Sequence, residues 1–290
     1  MCERTKNMAT FFNRATLTYG TNSITSNTVS GEIVQTLSVA KNASADEYFS
    51  GSVLTYAISL VNSGTIALSG LTITDDLGEF ALSEALTVRP LDYVPDSILY
   101  YVNGVLQPTP ATVTGTPLVI TGISVPAGGS AVIVYNATVN EFAPLVSGSV
   151  ITNTVTVSGN SALGDITASE SVSAADTPLL SILKSLSPET VAENGTLTYT
   201  LLVENRGNAP VTSDLTVSDT FDPILENITV TYNGNLLTEG TDYTYDEATG
   251  IFTTLPSVIT LPAAEYVTDP VTGEVAVTPG SAVIRISGTV

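Results

Sequence analysis

The chain has 290 residues, enough for two ordinary domains with a core each, and its 43% hydrophobic content excludes general disorder. Eight Lys and Arg against 28 Asp and Glu give a net charge of −20, which nucleic acid and anionic membrane surfaces would repel. His is absent and Cys occurs once, which closes off histidine-dependent catalysis and a thiolate metal site, so neither an enzyme nor a cofactor or metal is expected.

The first predicted element is an N-terminal arm over residues 1–35. Met1–Thr10 lacks the apolar core of a secretory signal, leaving a leader already removed or export without one. Met8 is a second possible start, which would delete Cys2. If retained, Cys2 is an incidental thiol or an intersubunit disulfide, since no internal partner exists. Two alternating segments come next, Phe12–Tyr19 and Ile24–Ser30, as in a β-hairpin.

Beyond the arm lie two β-sandwich domains, over 36–176 and 177–290, because the same landmarks occur twice. In the first copy they are Leu37-Ser-Val-Ala-Lys41, Tyr56, Asn62-Ser-Gly64, Leu71-Thr-Ile-Thr-Asp75, Asn103-Gly104 and Gly129-Ser-Ala-Val-Ile133. In the second they are Leu180-Ser-Ile-Leu-Lys184, Tyr199, Asn205-Arg-Gly207, Leu215-Thr-Val-Ser-Asp219, Asn233-Gly234 and Gly280-Ser-Ala-Val-Ile284. Short alternating strands punctuated by Gly, Pro, Asn and Asp predict an all-β fold of two immunoglobulin-like Greek-key sandwiches, with almost no helix. The Asn-Gly pairs, Glu247–Gly250 and Asp269–Gly273 have the chemistry of tight turns.

The copies end differently. After Val139 the first continues through Ser149–Val157 and Asp165–Val172, whereas the second stops after the matching strand. The arm carries the counterpart: Phe12–Tyr19 resembles Thr152–Ser158, and Ile24–Ser30 resembles Ile166–Val172. The expectation is a donor hairpin at one end and an incomplete acceptor sandwich at the other, joined between copies by β-augmentation. Such a heterologous contact generates an open filament unless its rotation closes a ring. The alternatives are an arm folded back on its own first domain, or a truncated chain.

Apart from Lys6, the only lysines are Lys41 and Lys184, at equivalent sites. Strand periodicity puts Lys41 on the apolar face of Leu37 and Val39, and Lys184 on that of Leu180 and Ile182. Asp75 and Asp219 likewise share the core-facing side of their strands, as does Asn153 among Ile151, Val155 and Val157. In the arm, Phe11, Asn13, Ala15 and Leu17 form the matching face, the donor strand. Desolvation lowers an amine's pKa and raises an acid's, making a neutral nucleophile beside a proton donor. The amine can then attack the Asn carbonyl and release ammonia, leaving an isopeptide bond. The expected sets are Lys41, Asn153 and Asp75 within the first domain, and Lys184, Asn13 and Asp219 between molecules. The plainer alternatives are buried Lys–Asp ion pairs hydrogen-bonded by Asn, or lysines snorkelling outward.

Lys184-Ser-Leu-Ser-Pro188, Gly195-Thr-Leu-Thr-Tyr-Thr200, Asn205-Arg-Gly207 and Val217-Ser-Asp219 together resemble the bacterial conserved-repeat domain known as domain of unknown function eleven, over residues 36–290. The resemblance implies immunoglobulin-like sandwiches of cell-surface and extracellular proteins. Two such repeats in a chain of this size also resemble structural proteins of endospore appendages, and the Lys–Asp–Asn arrangement is similar to self-crosslinked pilin and adhesin domains. Unlike those, this sequence has no sorting motif or membrane tail.

Asp75-Asp76 and Asp242–Glu247 do not follow an EF-hand spacing. The Asn-x-Ser/Thr triplets at Asn42, Asn136, Asn194 and Asn227 are chance in so Ser/Thr-rich a chain. The expected function is therefore a structural filament subunit of the cell or spore surface. Its partner is itself, with an anchoring surface protein as a further possibility and neither nucleic acid nor membrane insertion. The alternative is an adhesin or carbohydrate-binding module, using some of the twelve tyrosines to contact a glycan.

Overall fold

The computed structural model describes residues 8–34, 36–113, 117–159 and 164–290, and among them it contains strands and no helix. The all-β expectation therefore holds. Cys2 and Lys6 lie outside the described residues. Two compact units result: one takes the described residues up to Ala143 with Val150–Val172, the other Pro144–Ser149 with Ser173–Val290.

The arm is a long hairpin of β1 (Met8–Asn13), β2 (Thr16–Tyr19), β3 (Asn22–Thr25) and β4 (Val29–Val34). β1 pairs antiparallel with β4, and β2 with β3 around Gly20, whose φ of +59° suits a glycine. Arg14 and Ala15 interrupt the strand; there Ser26 N–H donates to the Ala15 carbonyl and Ala15 N–H to Ser26 Oγ. Every side chain from Thr10 to Ser30 is exposed, including Phe11, Phe12, Leu17, Ile24 and Val29.

The first unit then runs through β5 (Leu37–Ala43), β6 (Glu47–Tyr48), β7 (Val53–Asn62), β8 (Leu68–Asp75), β9 (Phe80–Ala81), β10 (Thr87–Val88) and β11 (Leu91–Tyr93). It continues with β12 (Leu99–Val102), β13 (Val105–Gln107), β14 (Thr112–Val113), β15 (Leu118–Val125), β16 (Ser130–Val139), β17 (Val150–Ser158) and β18 (Ile166–Ala174). One sheet has the order β13-β12-β16-β7-β5 with β11 also on β16; the other is β14-β15-β8-β17-β18-β6. Alternation builds the core: Leu54, Tyr56, Ile58 and Leu60 of β7 and Ala131, Ile133, Tyr135 and Ala137 of β16 are buried, the residues between them less so. Asn103 and Gly104 turn the β12–β13 hairpin with φ of +48° and +78°, as the primed turn requires.

The second unit comprises β19 (Leu180–Ser187), β20 (Thr196–Asn205), β21 (Ser218–Thr220), β22 (Glu226–Tyr232), β23 (Asn235–Leu236), β24 (Tyr243–Asp246), β25 (Ile251–Thr254), β26 (Glu265–Thr268), β27 (Val275–Thr278) and β28 (Gly280–Thr289). Its sheets, β19-β20-β28-β22-β23 and β21-β25-β24, repeat the β5-β7-β16-β12-β13 and β8-β15-β14 orders of the first unit. The hairpin β26–β27 has no counterpart in that repeat. Leu197, Leu201, Val203, Phe221, Phe252, Ile284 and Ile286 form the core. The repeated Asn62 and Asn205 are buried and structural. Each donates through Nδ2 to loop carbonyls, Asn62 to Ile66 and Pro126, Asn205 to Ala209 and Pro262.

The two units differ beside one strand. β8 lies between β15 and β17, but β21 pairs with β25 alone, so its opposite edge is free among the described residues.

Candidate functional site

In the first unit Lys41 (β5), Asp75 (end of β8), Tyr135 (β16) and Asn153 (β17) converge in the core from the two facing sheets. Lys41 Nζ donates to Asp75 Oδ2 at 2.6 Å, and both side chains are fully shielded from solvent. Tyr135 OH donates to the same Oδ2 at 2.6 Å, while Asp75 Oδ1 accepts the Leu77 N–H at 3.0 Å. Asn153 Nδ2 donates to the Tyr135 hydroxyl at 3.0 Å, and Asn153 Oδ1 is buried without a hydrogen bond. Burial drives the Lys41 amine below its ordinary value of 10.5 against the opposing pull of Asp75. Burial likewise holds the Tyr135 hydroxyl well above its usual range, and the Asp75 charge adds to this.

Local structure explains how Asn153 is held. Asp76 accepts the N–H groups of Gly78 and Thr154 on Oδ1, and its own N–H donates to the Thr154 carbonyl. These bonds tie β17 to the end of β8 in the register Val155↔Asp75 and Val157↔Ile73. Asp76 is thus a positioning residue for Asn153. Around the amine, the Tyr56 and Tyr135 rings stack at 5.5 Å, with Lys41 Nζ 4.9 Å from the Tyr56 centroid. A cation–π contact of this kind tolerates the amine while it is still charged.

The second unit repeats half of this arrangement. Lys184 Nζ is 2.6 Å from Asp219 Oδ2 and 4.3 Å from the Tyr199 ring centroid. Yet the Lys184 side chain is 41% exposed where that of Lys41 is fully buried, and all of β19 is exposed where Leu37 and Lys41 of β5 are buried. The reason is the free edge: β17 covers β5 in the first unit, and no described strand covers β19. In its place is a groove of about 260 Å³ lined by Leu180, Ile182, Val203, Leu215 and Val217.

Asn13 pairs across the arm with Val29, and its side chain is exposed. Phe11, Ala15 and Leu17 are exposed as well, so the residues expected to form a donor strand pack against no core here. Phe11 lies over Gly31, where a Cβ would come within 2.5 Å of its ring. Sequence reasoning missed Tyr135. The signal was there: Tyr135 shares the inward face of β16 with Ile133 and Ala137, and the aligned position in the second repeat is Ile286.

No family model matches the chain, and no curated protein does. Among solved structures it is similar to BcpA, the major pilin subunit of Bacillus cereus, at 13% identity over 93% of this chain and 73% of that one, TM-score 0.35. It is similar also to the pilus backbone protein RrgB of Streptococcus pneumoniae (15% identity, 84% of this chain, 55% of that one, TM-score 0.34). A third is the full-length major pilin SpaD of Corynebacterium diphtheriae (11%, 84%, 59%, TM-score 0.35). The chain spans little more than half the length of the RrgB and SpaD structures, and similarity at this level does not extend to function.

Proposed function

We propose that this chain is the structural subunit of an extracellular or spore-surface filament, in which the arm of one copy completes the second sandwich of the next. The observation that carries the reading is the free edge of β21 beside an apolar groove, at the position β17 occupies in the first unit. Transferring the β17 register puts Ala15 across from Asp219, Leu17 across from Val217, and Asn13 next to the Lys184–Asp219 pair. Docking buries Phe11 and Leu17, each contributing about 1.5–3 kcal/mol, and pairs the backbone of β21. Donor and acceptor differ, so the contact is heterologous and propagates into a filament unless its rotation closes a ring.

Two isopeptide bonds complete the reading, Lys41–Asn153 within a subunit and Lys184–Asn13 between subunits. In each, neutral Nζ attacks the Asn Cγ, a C–N bond forms, the Cγ–Nδ2 bond breaks and ammonia leaves. The 2.6 Å Lys–Asp contacts support both.

Electron microscopy and hot-detergent electrophoresis test this. Wild-type protein is expected to form filaments that run as a ladder after boiling in detergent. A chain lacking residues 1–20 is expected to stay monomeric, and Asn13→Ala to assemble but dissolve in detergent. Normal filaments from the arm deletion would overturn strand donation. Wild-type monomers with glycan affinity would favour the adhesin alternative.

A further inference from the structure

We propose that Tyr135 is a catalytic residue of the Lys41–Asn153 crosslink, relaying a proton from Asp75 to the departing nitrogen of Asn153. The inference rests on the crosslink reading above and adds a group which that reading does not contain. Three observations carry it. Asp75 Oδ1 faces the Leu77 N–H, and Oδ2 is the oxygen that touches both Lys41 Nζ and Tyr135 OH, each at 2.6 Å. The Asn153 hydrogen bond in this cluster runs from Nδ2, the atom that must leave, to the Tyr135 hydroxyl at 3.0 Å. The four residues are buried to 4% exposure or less, so bulk water is no ready proton source.

Amide nitrogen departs only once protonated, because the amide anion is far too basic to leave. Lys41 first gives one proton to Asp75 Oδ2, leaving a neutral amine and a neutral acid. Nζ attacks Cγ of Asn153, and Nδ2, no longer conjugated, gains a lone pair. The protonated Asp75 now donates to the Tyr135 oxygen, and the phenol hydrogen it frees turns to Nδ2. Ammonia leaves as the carbonyl re-forms, and the surplus proton on Nζ returns to Asp75 and restores the carboxyl group. The net change is one amine and one primary amide converted to one secondary amide and ammonia. Tyr135 gains and loses a proton together, consistent with a buried phenol that burial holds protonated. At the second site the aligned residue, Ile286, offers no hydroxyl, so this relay belongs to the first site.

The test uses full-length chain made in a short pulse of cell-free synthesis, with intact mass followed over time under denaturing quench. Wild type is expected to lose one ammonia. Tyr135→Phe, which keeps the ring that stacks on Tyr56, is expected to do so about a hundredfold or more slowly, the scale of general acid–base catalysis. Circular dichroism reports whether the variant folds. Independently of any variant, the wild-type rate is expected to fall in heavy water. Loss of ammonia by folded Tyr135→Phe at the wild-type rate, or a wild-type rate unchanged in heavy water, would overturn the relay and leave the crosslink standing. Wild-type chain that keeps its full mass would overturn both.

Discussion

At the scale of single residues, the first unit buries Lys41, Asp75 and Asn153 where an apolar core would be cheaper. The proposed Lys41–Asn153 crosslink would remove that cost by consuming the amine, and would restrict the unfolded chain as a long-loop disulfide does. Asn153→Ala removes the proposed link but keeps the Lys41–Asp75 pair, and about 4–5 kcal/mol of stability is expected to go with it, by analogy with a disulfide closing a loop of about a hundred residues. Lys41→Ala loses the link and also leaves Asp75 buried without its cation, which adds about 3 kcal/mol. Thermal melts are expected to order wild type above Asn153→Ala above Lys41→Ala, with both variants at full mass. Equal melting temperatures for all three chains would count against the bond.

At the scale of elements, β21 and the arm are complementary in kind. The strand edge offers unpaired backbone beside an apolar groove, and the arm offers apolar side chains with no core of their own. In the proposed docking, alternation gives the two faces of the arm different jobs. Leu17→Asp puts a carboxylate on the face that enters the groove, where it has no partner, and is expected to abolish filaments by microscopy. Thr16→Asp carries the same charge on the opposite face and is expected to leave them. Identical behaviour of the two variants would mean that the groove is not the contact. The break at Arg14 and Ala15 belongs to the arm as a free hairpin, where Ser26 bonds to Ala15 both ways. The proposed docking would exchange those bonds for bonds to β21.

For the molecule as a whole, charge would oppose the proposed assembly. Each copy carries −20, and approaching copies repel over a Debye length that shrinks from about 30 Å at 0.01 M salt to about 8 Å at 0.15 M. Apolar docking is not screened in this way. The rate of filament formation, followed by light scattering, is therefore expected to rise with salt across that range. A rate that falls would point instead to an attractive ionic contact between copies. In the proposed docking, Lys184–Asp219, partly exposed in the structure, is desolvated only when a strand covers it, so the proposed bond would form after encounter.

The sequence by itself determined the strands, the turns at Asn103-Gly104 and Asn233-Gly234, the two-fold repetition and the inward direction of Lys41, Asp75 and Asn153. These arise from a period of two and from local backbone preference, which depend on nearest neighbours along the chain. It also aligned Leu37 with Leu180 and Lys41 with Lys184, without revealing that the first of each pair is buried and the second exposed. Burial depends on which strand lies alongside, and only the sheet order showed β17 on one edge of β8 and no described strand on the matching edge of β21. Tyr135 is the same case. Its position in β16 made it a core tyrosine, and only the packing of two sheets brought its hydroxyl between Asp75 and Asn153, residues distant in sequence that one carboxylate oxygen and one phenol join.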